Sequence, residues 1–331
     1  MPGHQRRLAA FFDAAGLNRR RGGRGAQLLT LNYHRVADPD ACEFDRDLIS
    51  ATPEGFASQL DFLARNADVV GLADVPDVIA ARRRGRFVLI TFDDGYADNA
   101  AVAAPLLKDR GLPATFFLTS GFLDDRRPAW WDEIAWMVRR SEAGRVELPA
   151  YGLSVDTADR AAAMKAVIEH YKTLPPGETA AYLDAVADAC GTGRCPAEVA
   201  DALWMTWDDA RRLVAGGFTV GGHTVSHPVL SRLPAGEQAR EVADNRRRIV
   251  AELGVEPTAF SYPVGQPDSF TTQTKRAVAA AGYETAFSFY GGLCRRGHVD
   301  LLNIPRVAVE SRHCGRAFRS LVSWPQVFGG L

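Results

Sequence analysis

Residues 88–100 read VLITFDDGYADNA. From Val88 to Phe92 the run is apolar or β-forming with no polar alternation, then Asp93 and Asp94 stand side by side, then Gly95 breaks the run. A strand without a period of two is buried on both faces, the habit of a parallel sheet covered by helices or closed into a barrel. In such architectures ligand sites gather at the C-terminal ends of the strands. Two adjacent carboxylates at such an end repel each other and raise each other's pKa unless a cation neutralises them. A cation is therefore the first expectation, with its remaining ligands at another strand end.

Working outward, the same kind of apolar run recurs as QLLTLNY (27–33), FVLITF (87–92), ATFFL (114–118), FTVGGH (218–223), TAFSYP (258–263), YETAFSF (283–289) and IPRVAV (304–309). Between these lie helical patterns, PEGFASQLDFLARN (53–66), AAVAAPLLKDRG (100–111), DDARRLVAGG (208–217), the long stretch 235–254 and TTQTKRAVAAAG (271–282). Thr52 and Pro53 suit an N-cap and first helical turn, and Gly254 and Gly282 suit helix stops. Strand and helix in turn predict an α/β fold. From about 124 to 203 the alternation lapses into what reads as helices only, which predicts a helical insertion within that domain. Trp130, Trp131 and Trp136 fall there at helical spacing; core packing is the first reading and an aromatic wall over a ligand the other.

The chain has 331 residues, 47% hydrophobic and 9% aromatic, enough to bury one large domain. Lys and Arg number 39 against 40 Asp and Glu, so the net charge of -1 offers no general attraction to nucleic acid or an anionic membrane. No apolar run is long enough to cross a bilayer, and the opening lacks a signal-peptide core, so a cytoplasmic location is expected. Residues 1–25 read as a basic leader, solvated and partly disordered, with a membrane-surface amphipathic helix as the alternative; residues 26–331 form the domain. Five cysteines without a repeated spacing suit free thiols, and Cys190 with Cys195 does not make a zinc site.

FTVGGHTVSHPVL places His223 and His227 after an apolar strand, four residues apart, and Pro228 keeps His227 out of a helix. Two imidazoles and one carboxylate leave open positions on an ion, the pattern of a catalytic metal. Imidazoles favour zinc, cobalt, nickel or iron over magnesium, which disfavours phosphoryl transfer at the aspartate pair.

TFDDG followed by GHTVSH, each at a strand end, resembles the polysaccharide deacetylase family, also called the NodB-homology family or carbohydrate esterase family four, over most of residues 28–309. The resemblance implies a distorted (β/α) barrel of the NodB-homology type, with Asp93 as general base and Asp94, His223 and His227 as ligands of a divalent metal, zinc above all. It further implies a hydrolase that removes an N-acetyl or N-formyl group from an amino sugar of a bacterial surface polysaccharide, or from a lipid- or nucleotide-linked precursor. A non-catalytic carbohydrate-binding or scaffold protein on the same fold is the alternative.

The family's next motif, Arg-x-Pro-x-Gly, appears as SYPVG: Pro263 and Gly265 are kept, the backbone N–H near Tyr262 is the expected oxyanion donor, and Ser261 replaces the arginine. Arg306, in IPRVAV, is the candidate replacement guanidinium, against a plain surface arginine. The C-terminal Leu-x-x-His acid has no counterpart. LTLNYH instead presents His34, as in the subgroup that includes poly-β-1,6-N-acetylglucosamine deacetylases, and implies His34 as general acid, against a buried structural histidine. Arg295, Arg296 and His298 crowd one glycine-rich loop, which either meets a pyrophosphate or acidic sugar near the mouth or is merely solvated.

Overall fold

The computed structural model describes residues 3–14, 16, 26–80, 82, 85–295 and 299–328. Among them, seven parallel strands close a ring: β1 (Ala26–Tyr33), β2 (Gly85–Phe92), β3 (Thr115–Leu118), β4 (Thr219–Gly222), β5 (Ala259–Ser261), β6 (Thr285–Gly291) and β7 (Ile304–Ala308). Each strand pairs with the next in sequence, and β7 returns to β1 through Leu31 and Val307. The seven apolar runs are thus the seven staves of one (β/α) barrel.

The missing polar alternation has its cause in two buried faces. Leu29, Leu31, Val88, Ile90, Phe92 and Phe116 point outward and cluster with Phe56, Leu60 and Leu63 of helix α2 (Pro53–Asn66). Leu28, Phe87, Leu89, Phe117, Phe287 and Ile304 point inward and fill the floor. Further along the same inward rows come Asn32, Thr91, Ser261 and Arg306, all buried. The barrel interior therefore turns from apolar to polar towards the strand ends, and the polar end is where chemistry can sit.

Four expectations change. The insertion is not helical throughout. Around helices α3 (Trp130–Arg140), α4 (Arg160–Tyr171) and α5 (Thr179–Cys190) it also holds an antiparallel hairpin, Arg145–Leu148 against Leu153–Asp156. Its signal was present, since RVEL alternates exposed and buried residues and Gly152 turns at φ +62°. The segment predicted as a helix over 100–111 starts with a wide π turn, Asn99–Ala103, before its α-helical part, Ala104–Lys108.

Within the leader, Gly3–Ala14 forms helix α1, docked on the C-terminal helix Arg316–Ser323: Phe12 packs on Trp324 and Phe328, and Asp13 forks onto Arg319 at 2.7 and 2.6 Å. Residues 17–25 lie outside the described residues. The strand Leu293–Arg295 pairs antiparallel with Gln27–Leu29, at the start of β1 and so at the end of the barrel away from Asp93; Arg296 and His298 lie outside the described residues. No helix among the described residues is long and apolar enough to cross a membrane.

Candidate active site

The ends of β2 and β4 place the first cluster. Asp93 and Asp94 follow Phe92, and His223 follows Gly222. Asp94 sits at φ +76° in a tight three-residue turn closed by Gly95 N–H to Asp93 O at 3.0 Å. His227 adopts φ +55°, outside the right-handed helical region that a following proline disfavours. Nε2 of His223 and of His227 lie 3.3 and 3.4 Å from Asp94 Oδ1. Among the described residues these three are the one cluster whose potential ligand atoms all lie within 4.8 Å of one another.

That cluster fits a cation. Asp94 Oδ1 is buried without a hydrogen-bond donor, a costly state for a carboxylate oxygen unless a positive charge faces it. His223 Nδ1 sits 2.7 Å from the Ser261 carbonyl; donating there fixes the tautomer and leaves the Nε2 lone pair facing Asp94. Burial pushes the His227 ring down to about 3, so that ring is neutral and keeps a lone pair, whereas at His223 the Asp93 and Asp94 carboxylates outweigh burial and push the ring up, a positive charge that a bound cation would replace.

Asp93 is held quite differently. Arg306 Nη1 and Nη2 donate to its Oδ1 and Oδ2 at 2.8 and 2.7 Å, and Ser261 Oγ and Asn32 Nδ2 add longer bonds to Oδ2 at 3.2 and 3.3 Å. Arg306 is only 2% exposed, so the surface-arginine reading falls; its Nε donates to Ser288 O at 2.9 Å and its Nη2 to Ser261 Oγ at 2.8 Å. Serine at position 261 is what leaves room for a guanidinium arriving from β7. Burial alone would raise the Asp93 carboxyl, but the Arg306 charge, the His223 ring and the Arg306 hydrogen bonds outweigh it and hold the group well below the usual carboxylate range.

His34 follows β1 and is half-buried, its ring edge-on to Phe289 at 5.7 Å. Its backbone is stapled by Ser50 Oγ, which accepts its N–H at 3.1 Å, and by Asn99 of the π turn, which donates to its carbonyl at 2.7 Å. His34, Asp93, Asp94, His223, His227, Tyr262 and Arg306 all line one open cavity of about 200 Å³. Trp130 and Trp131 line it as well, so these two serve both as insertion core and as an aromatic wall, whereas Trp136 packs against Arg140 instead.

The Tyr262 expectation does not hold, because its N–H donates to Phe287 O at 3.1 Å within the sheet. The following residue is proline, and the next N–H belongs to Val264, which also lines the cavity. Val264 stands at φ +62° in a second tight turn, closed by Gly265 N–H to Pro263 O at 2.6 Å. Gly265 is required there: it has φ +64°, and a Cβ would lie 2.6 Å from that of Phe289. Of five non-glycine residues with positive φ among those described, Asp94, Thr224, His227 and Val264 belong to this site. Such clustering marks backbone held by its surroundings for a purpose.

Sequence reading also missed the residues that lace the His223–His227 loop to the long helix Ala235–Leu253. Glu241 accepts the N–H groups of Val225 and Ser226, both at 2.9 Å, and Asn245 accepts from His223 N–H at 3.2 Å while donating to Thr224 O at 2.6 Å. Their only signal was two polar residues four apart in the helix after the histidine pair.

The barrel has counterparts among solved structures. The computed fold overlays the Streptococcus pyogenes deacetylase PplD in complex with acetate at a TM-score of 0.58, with 17% identity over 88% of this chain and 95% of that one. It overlays IcaB from Ammonifex degensii at 0.57, with 23% identity over 92% and 98%. In sequence, the putative polysaccharide deacetylase YxkH of Bacillus subtilis (strain 168) is 21% identical over 235 residues, 71% of this chain but 56% of that protein, so the match spans little more than half of the relative. The sequence model of the family described as polysaccharide deacetylase matches residues 80–160 and 176–286, which hold Asp93, Asp94, His223, His227 and the Ser261–Gly265 turn, though not His34 or Arg306. With more than half of the chain matched, this protein belongs to the polysaccharide deacetylase family.

Proposed function

We propose that the chain is a divalent-metal-dependent hydrolase, zinc being the best-suited ion, that removes an N-acetyl or N-formyl group from an amino sugar. The observation that carries this reading is the pairing of two unlike carboxylates: Asp94, orphaned between two imidazoles, and Asp93, forked by Arg306, on adjacent residues. A cation held by Asp94, His223 and His227 would polarise the acyl carbonyl and make water acidic enough to lose a proton near neutral pH.

Asp93 is the proton acceptor. Oδ1 carries a single donor, Arg306 Nη1, and so keeps a lone pair, while the Arg306 fork fixes the plane of the carboxylate. The developing oxyanion leans on Val264 N–H, pre-aimed by its strained turn. His34, on the β1 side of the cavity, delivers a proton to the departing amine. Trp130, Trp131 and Phe289 offer ring surface for the sugar.

The test is acyl release from N-acetylhexosamine oligomers and from nucleotide- and lipid-linked N-acetyl sugars, with and without chelator. Chelator-sensitive release is expected from the wild type; Asp93→Asn should keep its metal and lose turnover, and Asp94→Asn should lose both. Release that survives chelation, or an active Asp93→Asn protein, sinks the mechanism. The substrate panel separates polymer from precursor.

A further inference from the structure

We infer that Trp131, on insertion helix α3, is a positioning residue of the metal centre: it holds the His227 ring in the place of the hydrogen bond that ring lacks. The inference rests on the reading of Asp94, His223 and His227 as a metal site.

Ligand histidines are normally oriented through their second ring nitrogen, which donates to a carbonyl or carboxylate. His223 follows the rule through Ser261 O. His227 does not: its Nδ1 is buried and has no partner. Without such a bond the ring is free to turn about its bond to Cβ and carry Nε2 away from Asp94. What opposes that turn is packing. The Trp131 ring meets it at 4.4 Å and 64°, and Phe122 lies nearly parallel at 6.4 Å.

Trp131 can act as a stop only if it is itself immobile, and it is. Its Nε1–H donates to Tyr96 Oη at 2.9 Å, Tyr96 Oη donates to Asp132 Oδ2 at 2.7 Å, and Asp132 Oδ1 accepts Asp45 N–H at 3.1 Å. Tyr96 and Asp132 are fully buried, and Tyr96 lies between Trp204, stacked at 4.6 Å, and the Arg35 guanidinium at 4.9 Å. Tyr96 also follows Asp94 by two residues. The turn that supplies one ligand thereby anchors, through Trp131, the ring of another. The insertion, which begins as an appendage outside the barrel, becomes a part of the metal centre.

The test is a competitive Zn²⁺ titration against a chromophoric chelator, using the full chain, with melting of the metal-free protein recorded in parallel. Trp131→Ala should weaken Zn²⁺ binding by about ten- to a hundredfold, the usual effect of losing an outer partner of a ligand. Trp131→Phe and Tyr96→Phe, which keep ring contact but cut the anchor, should fall between it and the wild type, with the metal-free proteins melting lower but still cooperatively. Should Trp131→Ala fail to fold, these two carry the test. Folded variants that bind Zn²⁺ as tightly as the wild type overturn the positioning role alone. A wild type that binds no Zn²⁺, Co²⁺ or Ni²⁺ overturns the metal reading beneath it.

Discussion

Asp93 and His227 face the same cavity, yet the two walls that hold them are built from opposite materials. On the barrel side, a charge is fixed by charge and by hydrogen bonds: Arg306, Ser261 and Asn32 all aim at one carboxylate. On the insertion side, a neutral ring is fixed by other rings, with its polar nitrogen left unanswered. The first arrangement has strict geometry and no tolerance for a missing partner, since a buried unpaired carboxylate is costly. The second tolerates a change of chemistry that preserves shape, because ring packing is non-directional. The contrast suits the parts proposed for them: a base must keep one orientation and one charge, whereas a ligand needs only to stay where its lone pair is useful.

The contrast breaks most visibly at the base. Asp93→Asn should cut turnover by about 10²–10⁴-fold, the range for a positioned proton acceptor, while elemental analysis finds the metal retained; loss of metal in this variant would merge the two walls into one. Next in size, Arg306→Ala should cost about 3–5 kcal/mol in urea unfolding, because it strands the Asp93 charge in the barrel. A cost under about 1 kcal/mol would mean that water or another cation reaches Asp93 and that the barrel wall is not built on charge.

The insertion wall has a pH signature of its own. Burial lifts the Asp132 carboxyl to about 7, against an unfolded value of about 3.9. A raised carboxyl stabilises the fold fully below about 4 and loses that contribution as pH rises through about 7. Asp132→Asn cannot ionise, so the wild type should lose roughly 4 kcal/mol relative to the variant across that window of about three pKa units, each worth about 1.4 kcal/mol. Parallel melting curves against pH would show Asp132 to be ionised in the fold.

The smallest effect concerns the strained turn. Val264→Gly keeps the N–H and relieves a positive φ, so stability should rise by up to about 1 kcal/mol with turnover retained. A loss of both would show that the valine side chain, rather than its backbone, matters at the cavity.

Much of this was legible in the chain. TFDDG and HTVSH announced a strand-end cluster of carboxylates and imidazoles, and the seven apolar runs announced parallel strands buried on both faces, because such burial leaves a continuous apolar signature; the choice of a closed barrel over a covered sheet came from the family resemblance. Tyr262 was misjudged for a local reason: whether its N–H is free depends on the neighbouring strand β6, which takes it. The hairpin at 145–156 is short enough to hide between helical patterns, and the Arg295 loop stayed open between a place near the mouth and a solvated one because a loop's position follows from the strand it pairs with, not from its own composition.

Sequence by itself determined what repeats with a local period or stands within a few residues: strand and helix identity, the adjacent aspartates, the histidine pair, the turn prolines and glycines. The tertiary fold alone decided which distant residues meet. That Arg306 reaches across 213 positions to Asp93, that Trp131 rather than Trp136 faces His227, and that Val264 lines the cavity all depend on barrel closure and insertion docking. The physical reason is that a side chain's type sets what it can bind, whereas the summed packing of the whole core sets what comes within its reach.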